Sequence, residues 1–213
     1  MPDAGPVYLD YAATSPIDPR VSAAMLECLN AEGGYGNPAS LTHTFGARAR
    51  QHIATAAAAV AELVNGAPDF IIWTGSATEA INLGIIGAAR FRRARGQHVV
   101  TSRIEHSAVL GSCAALERDG YAVSYVAPGA DGIVSPASIA AALRPDTVLV
   151  SGMHANNEIG TVQDLAAIGA LCRQRGVLLH VDAAQTLGKL TLDMQSQQID
   201  LLSLNAHKAC GPQ

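Results

Sequence analysis

Two lysines are the candidate amine nucleophiles of this chain, and they stand in different surroundings. Lys208 follows His207 just after an apolar, strand-like run at 200–204, whereas Lys189 follows Gly188 in a segment without a helix or strand pattern. A lysine that is partly withdrawn from water in a polar cleft can form a Schiff base with a carbonyl compound. Lys208 is therefore the candidate nucleophile, with an ordinary solvated lysine as the alternative interpretation.

Further polar groups follow other strand-like runs. Asp182 ends the apolar run 177–181, and a buried carboxylate needs a partner, unless it only caps backbone amides. The residues 75–78 open a predicted helix, where free N–H groups suit an anion such as phosphate, unless Ser76 is a simple N-cap. His106 follows another strand, either as a site residue or as a loop histidine. The remaining polar residues at strand ends are Glu105, His154, Asn156, Asn157, Glu158, Gln185 and Asn205.

Alternating strands and helices must position these groups. The pattern predicts strands at 70–73, 98–101, 121–126, 147–150, 177–181 and 200–204, and helices at 76–95, 107–119 and 161–175, with a short helix capped by Ser135. Strands of continuous Val, Ile and Leu that alternate with helices indicate an α/β fold, a largely parallel sheet flanked by helices. Residues 1–66 are predicted to form an N-terminal segment with helices at 18–29 and 44–64, and residues 67–213 a cofactor-binding α/β domain.

The carboxyl ends of parallel strands meet at one edge of a sheet, which is where ligands bind in such folds. One cofactor needs the groups predicted there. Pyridoxal phosphate requires a lysine for its aldehyde, an acid for its pyridine nitrogen, donors for its phosphate and a flat group against its ring. Lys208, Asp182, the helix start at 76–78 and His106 match these four needs.

The chain resembles the cysteine desulfurases, pyridoxal-phosphate enzymes of the class V aminotransferase group. The resemblance rests on "YLDYAATSPIDPRV", "GNPASLTHTFG", "TGSATEAINL", "EHSAV", "MHANNEIG", "HVDAAQTLGK" and "SLNAHKACGP", which follow one another in the order of that family's motifs. It implies the large domain of the aspartate aminotransferase-like fold. It also implies conversion of L-cysteine to L-alanine, with the sulfur passed to an enzyme cysteine and on to iron-sulfur cluster or tRNA thiolation pathways.

The resemblance also implies a role for each matching residue. Lys208 would bind the cofactor covalently, Asp182 would pair with the pyridine nitrogen, and His106 would stack on the ring and move protons. Gln185 would bind the phenolic oxygen, and Asn157 that oxygen or the substrate carboxylate. The phosphate ligands would be Ala77, Thr78, Asn205 and His207, and the substrate site would be lined by Ala12, Ala13 and Thr14.

Two departures from the family pattern are local. Asn205 and Ala206 stand where the family has Ser and Gly, and Gly75-Ser76 reverses the commoner order. A third departure concerns length. The family continues for nearly as many residues again, with the sulfur-accepting cysteine, a carboxylate-binding arginine, the small C-terminal domain and an antiparallel strand beside 70–73. We therefore expect a truncated and inactive desulfurase.

Alternative functions are a non-catalytic pyridoxal-phosphate-binding remnant and another class V aminotransferase-type reaction such as transamination. Cys210, on the turn of Lys208, is a poor substitute for the missing nucleophile. Cys28, Cys113 and Cys172 are predicted to be buried in helices.

The composition limits the kinds of binding partner and the cellular compartment that we expect for this chain. A formal net charge of −4 without a basic block argues against direct nucleic-acid binding, and no apolar stretch reaches membrane-spanning length. The cysteine spacing predicts no metal site. These features predict a soluble cytoplasmic protein. The resemblance to the cysteine desulfurases implies a homodimer that acts on L-cysteine and passes sulfur to an iron-sulfur scaffold or another sulfur-acceptor protein.

Overall fold

A five-stranded parallel sheet forms the centre of the computed structural model, which describes residues 5–212. The strands are β1 (His98–Ser102), β2 (Ala122–Val126), β3 (Thr147–Met153), β4 (Leu178–Asp182) and β5 (Leu201–Ser203). They lie in the order β2-β1-β3-β4-β5, and every neighbouring pair is parallel. The predicted α/β fold with a parallel sheet is confirmed.

Six helices in the described part of the chain surround or precede the sheet. They are α1 (Pro19–Leu29), α2 (Thr44–Leu63), α3 (Ala77–Phe91), α4 (Ser107–Arg118), α5 (Pro136–Ala142) and α6 (Leu165–Arg175). Each begins after a residue whose side chain accepts a backbone N–H of the first turn, which satisfies a donor that the helix itself leaves free. These N-caps are Asp18, His43, Ser76, His106, Ser135 and Asp164. None of the helices within residues 5–212 combines the length and the apolar character needed to cross a membrane.

The core lies on both faces of the sheet. Val100 of β1 belongs to a cluster with Leu165 and Ile168 of α6, whereas its neighbour Val99 belongs to a cluster with Ile85 of α3 on the other side. Successive side chains of a strand point to opposite faces, so a run of consecutive apolar residues supplies both layers. This two-sided cover explains why the strands read as continuous hydrophobic segments.

A buried histidine links the three strands on one side of the sheet. His180 of β4 contacts the hydroxyl of Ser151 on β3 through Nδ1 and that of Ser203 on β5 through Nε2, both at 2.9 Å. His98 of β1 makes equivalent contacts with hydroxyls of β2 and β3. Burial lowers the pKa of His180 to about 4, so the ring is neutral at physiological pH.

The predicted strand at 70–73 is wrong. Pro68–Phe70 forms a 3₁₀ turn, and the following residues join no strand of the sheet within residues 5–212. Phe70 and Ile72 are largely exposed, at 83% and 70%. A strand requires a neighbour for its backbone hydrogen bonds, and β5 is the last strand on that side of the described sheet.

Two further expectations need correction. Cys28 is exposed, because no residue of α1 is buried, whereas Cys113 and Cys172 are buried as predicted. The helix predicted at 161–175 begins only at Leu165, since Val162 forms a bridge with Ala155 before Asp164 caps the helix.

Candidate functional site

Asp182 is the last residue of β4 and lies in register with Met153 of β3 and Ser203 of β5. Its side chain is buried, and within residues 5–212 the carboxylate accepts one hydrogen bond, from the Ala184 N–H to Oδ1 at 3.0 Å. Burial raises the pKa of this carboxyl, and the Ala184 amide opposes the rise, as do the nearby His106 and Lys208. The structure thus brings a buried acid, an imidazole and an amine together at the carboxyl edge of the sheet.

His106 lies between β1 and α4 and is the N-cap of that helix. Its Nδ1 accepts the Ala108 N–H at 3.2 Å, so the neutral ring carries its proton on Nε2. The preceding loop is held by the loop that follows β3, because Asn156 donates from Nδ2 to the carbonyl oxygen of Ile104 at 2.9 Å. The half-buried ring is therefore held in place by its own helix and by this neighbouring loop.

Lys208 lies in a tight turn that follows β5. The Asn205 side chain accepts the Lys208 N–H at 3.3 Å, and Ala206 O accepts the N–H groups of Ala209 and Gly211, both at 2.8 Å. Lys208 is half-buried and forms no ion pair within residues 5–212, so its amine is not committed to a surface carboxylate. Lys189, by contrast, lies exposed on a loop.

The N-terminal segment closes over this turn. Ser15 donates to His207 O from both its N–H and its hydroxyl, each at 2.8 Å, and its Oγ accepts the Cys210 N–H at 2.9 Å. Thr14 Oγ1 lies 3.1 Å from Nδ1 of His207. Burial and the charge of Lys208 lower the pKa of His207. The segment predicted to line the substrate site therefore contacts the lysine turn directly.

Gln185 is joined to the same segment, because its Nε2 donates to Ala12 O at 2.8 Å. Ala12 and Ala13 are exposed. Asn157 is half-buried and donates to Glu158 Oε1 at 2.7 Å, a surface contact that a ligand would have to replace. The role predicted for Gln185, at the phenolic oxygen, and that for Asn157, at the same oxygen or the substrate carboxylate, remain predictions.

The N-terminal end of α3 points to the same edge of the sheet. Ala89, near the C-terminal end of α3, accepts the hydroxyl of Tyr121, which directly precedes β2, and Gly84 at mid-helix packs against His180 of β4. The helix therefore runs opposite to the strands, and its first turn lies at their carboxyl ends. Within residues 5–212 the N–H groups of Ala77 and Thr78 have no hydrogen-bond acceptor, as an anion site requires.

The phosphate end of the predicted site also contains an acid. Glu79 Oε2 accepts the Gly75 N–H at 2.6 Å, and Ser76 Oγ accepts the Glu79 N–H at 3.1 Å. The Ser76 N-cap and the free amides thus coexist, so the two interpretations of this helix start do not exclude each other. An anion bound here would use the Ala77 and Thr78 amides and not the Gly75 amide.

Two other polar residues at strand ends are structural. His154 is buried against the Thr186 hydroxyl at 3.0 Å. Asn156 is fully engaged, because its Oδ1 accepts the N–H groups of Glu158 and Ile159 while its Nδ2 binds the loop before His106. Within residues 5–212 no three His, Cys, Asp or Glu side chains are grouped to hold a metal ion.

The sequence patterns predicted no role for Ser15 or Glu105. Glu105 directly precedes His106 and is buried. The sequence feature that could have identified it is the same as for Asp182, a charged residue that follows an apolar run. Ser15 carries no comparable local signal, because its partners His207 and Cys210 lie at the other end of the chain.

The aminotransferase class-V family model matches residues 7–213, and the chain belongs to this family. It is 56% identical over 207 residues to the cysteine desulfurase IscS of Azotobacter vinelandii and, equally, to that of Pseudomonas aeruginosa. Each alignment covers 97% of this chain and 51% of the relative, so the chain spans about half the length of the curated relatives it matches.

Solved structures show the same fold. A NifS-like protein superposes with a TM-score of 0.92 at 35% identity, over 97% of this chain and 56% of that one. The structure described as SspA in complex with cysteine superposes with a TM-score of 0.91 at 37% identity, over 97% of this chain and 58% of that one. The sheet and its helices therefore have the fold of these two solved structures.

The residues at the carboxyl edge fit pyridoxal phosphate, the cofactor of this family. Asp182 has one carboxylate oxygen without a hydrogen-bond partner in the described chain, Lys208 has no competing ion pair, and two amides at the start of α3 are free. Acid, amine and anion donors are the three chemical types that this cofactor needs.

Proposed function

We propose that this chain forms the pyridoxal-phosphate-binding part of a cysteine desulfurase, which takes sulfur from L-cysteine and leaves L-alanine. The observation that carries the proposal is the meeting of Asp182, His106 and Lys208 at the carboxyl end of β4. The identity to the IscS proteins supports the desulfurase branch, and the cysteine bound to SspA supports the substrate.

Each residue has a defined task in this proposal. Lys208 would bind the cofactor aldehyde through Nζ and would also move a proton at the substrate's α-carbon. Asp182 holds a proton on the pyridine nitrogen. When bound, pyridoxal phosphate supplies an electron-withdrawing ring that stabilises negative charge on that α-carbon. His106 would lie against the ring, where its Nε2–H, left free by the Nδ1 hydrogen bond to Ala108, would transfer a proton.

The remaining roles concern binding and orientation. The Ala77 and Thr78 amides bind the phosphate at the positive end of α3, assisted by His207 and Asn205. Gln185 binds the phenolic oxygen, and Asn157 with residues 12–14 orients the substrate. We further propose that the protein is a cytoplasmic homodimer. It delivers sulfur to an iron-sulfur scaffold or another acceptor protein, a proposal supported by the relatives that are named cysteine desulfurase IscS.

Three of the four cysteines are unsuited to accept sulfur from a substrate bound at Lys208. Cys113 and Cys172 are buried, and burial raises the pKa of both thiols to about 12. Cys210 is exposed but lies two residues from Lys208 with its N–H bound to Ser15, so it cannot swing over a substrate held by that lysine. We therefore propose that residues 1–213 alone bind the cofactor without releasing sulfur.

The test is cofactor attachment followed by peptide mapping. The purified chain is mixed with pyridoxal phosphate and reduced with borohydride, and the labelled peptide is identified by mass spectrometry. Label on Lys208, lost in Lys208→Ala and retained in the matched exposed-lysine variant Lys189→Ala, supports the site. Label on Lys189, or equal label in both variants, refutes it.

Turnover is measured on the same preparations. L-Cysteine and a reducing thiol are added, and sulfide, alanine and keto acid are quantified together. A yellow protein without product is expected. Sulfide and alanine in equal amounts above the Lys208→Ala background would contradict inactivity of this chain and return Cys210 to consideration, whereas a keto acid would favour transamination.

A further inference from the structure

Glu105 is a buried acid that the proposed mechanism does not use. It lies between β1 and His106 with 8% of its surface exposed, and its side chain turns back toward the end of β1. The Ser102 hydroxyl donates to Oε1 at 2.5 Å. Oε2 is buried and has no hydrogen-bond partner within residues 5–212. A charged carboxylate in this position would leave one oxygen uncompensated, which is far more costly than an unpaired neutral group.

The groups that face Glu105 do not favour its charge. No lysine or arginine forms an ion pair with it in the described part of the chain. The titratable neighbours are Cys113 of α4, which is neutral, and Asp182 of β4. Burial raises the pKa of Glu105 to about 8, the Ser102 hydroxyl and the Met153 backbone oppose the rise, and Asp182 adds to it.

Asp182 is also buried, which raises its pKa, but cationic groups lie beside it. His106 and Lys208 lie close enough to favour its negative charge, and the Ala184 amide donates to it. The two acids are neighbours across the sheet, because Glu105 lies near the backbone of Met153, which pairs in register with Asp182. A negative charge on one acid disfavours ionisation of the other, and the acid with cationic neighbours ionises first.

We propose that Glu105 is a positioning residue that carries the single proton of this acid pair, so that Asp182 holds the negative charge required beneath a protonated pyridine nitrogen. The inference rests on the proposed pyridoxal-phosphate site and adds to it the residue that sets the charge of Asp182. Glu105 acts through Asp182 and does not itself contact the cofactor.

Infrared spectroscopy of the cofactor-free chain tests the protonation directly. At about pH 6 the wild type should show the carbonyl stretch of a protonated carboxylic acid, absent from Glu105→Gln and retained in Glu117→Gln, which changes an exposed acid on α4. In the wild type this band should disappear as the pH rises through about 8. A wild-type spectrum without the band, or a band that Glu105→Gln leaves unchanged, overturns the proposal.

Stability supplies a second readout on the cofactor-free chain. A folded-state pKa raised above the unfolded value means that the folded chain holds the extra proton, so the stability contribution is lost as the pH rises toward about 8. Glu105→Gln keeps the shape of the neutral acid. Its melting temperature should equal that of the wild type at about pH 5 and exceed it at about pH 8. A difference in melting temperature between the two proteins that does not change with pH overturns the proposal.

Cofactor affinity completes the test. Glu105→Gln should bind pyridoxal phosphate within about threefold of the wild type, and Glu105→Ala about tenfold more weakly, since it removes the shape as well as the proton. Equal loss in both variants would show that the charge of Glu105 is needed, against the proposal. A wild-type chain that shows the infrared band but binds no cofactor would refute the proposed function instead.

Discussion

Ser15 binds the backbone of His207 twice, although 192 residues separate the two in the chain. The same hydroxyl accepts the Cys210 N–H, so one small side chain holds both sides of Lys208. The N-terminal segment therefore holds the backbone turn that carries Lys208, a contact that its sequence alone does not reveal.

Ser15→Ala should weaken pyridoxal phosphate binding. It removes two side-chain hydrogen bonds, each contributing about 1 kcal/mol, and leaves the Cys210 N–H without its acceptor. We expect a roughly tenfold higher Kd by absorbance titration. Ser22→Ala is the control, because Ser22 lies on α1 and its hydroxyl has no hydrogen bond within residues 5–212. Equal affinity for Ser15→Ala and this control would contradict the positioning role.

Asp182→Asn should stabilise the cofactor-free chain while weakening cofactor binding. The pKa of Asp182 is raised in the fold, so ionising it costs stability once the pH exceeds the unfolded value, and the amide avoids that cost. Urea unfolding should show a more stable variant at about pH 7, by roughly 1 kcal/mol, and no gain at about pH 3.5. An equally large gain at both pH values would show that ionisation is not its cause.

His180 should make the fold acid-sensitive. Its folded pKa of about 4 lies below the ordinary histidine value, so the unfolded chain binds the proton first and stability falls as the pH drops from about 6.5 to 4. The loss should reach roughly 3 kcal/mol. Thermal melts across this range measure it. Melting temperatures that stay level over the same range would contradict the prediction.

The partners of His180 allow a sharper comparison. His180→Phe alone leaves two buried hydroxyls unpaired and should cost about 2 kcal/mol at neutral pH. A triple variant that combines His180→Phe with Ser151→Ala and Ser203→Ala removes these unpaired hydroxyls and should recover most of the lost stability. It should also lose less stability in acid than the wild type. A triple variant no more stable than the single one would contradict this account.

Gly169 and Gly111 should respond oppositely to alanine. Both lie inside helices, but a Cβ at Gly169 would overlap the carbonyl oxygen of Gln197, whereas a Cβ at Gly111 meets no atom within 4 Å. Gly111→Ala should therefore stabilise by up to about 1 kcal/mol through helix propensity alone. Gly169→Ala should destabilise by about 2 kcal/mol or more, as backbone must move. Chemical unfolding of the two variants provides the measurement, and a stabilising Gly169→Ala would refute the packing argument.

Much of the site could be predicted because its signals are local. Asp182 ends an apolar strand and His106 lies four residues beyond another, and parallel strands bring such residues to one edge of the sheet. The spacing of apolar residues along the chain likewise predicts the helices and most of the strands. The prediction of a strand at 70–73 was wrong because an apolar run does not show whether a partner strand is present. The predicted burial of Cys28 was wrong because α1 buries none of its residues.

What the sequence did not reveal depends on distant contacts. Ser15 with His207, and Asn156 with Ile104, join segments that no local pattern connects. The proton balance between Glu105 and Asp182 likewise depends on which cations lie beside each acid, a property of the assembled fold. Spacing along the chain gives residue types at strand ends but not their electrostatic neighbours.

The lysine of the proposed site is attached to the shortest strand of the described sheet. β5 has three residues, lies at the edge and pairs only with β4. Such an element exchanges its amide hydrogens through local opening at lower cost than the central strands. A ligand bonded to Lys208 and to Asp182 would span β4 and β5 and suppress that opening. Cofactor loading would then appear as slowed deuterium uptake in residues 201–208, so that the cofactor acts as a mechanical tie across the edge of the sheet.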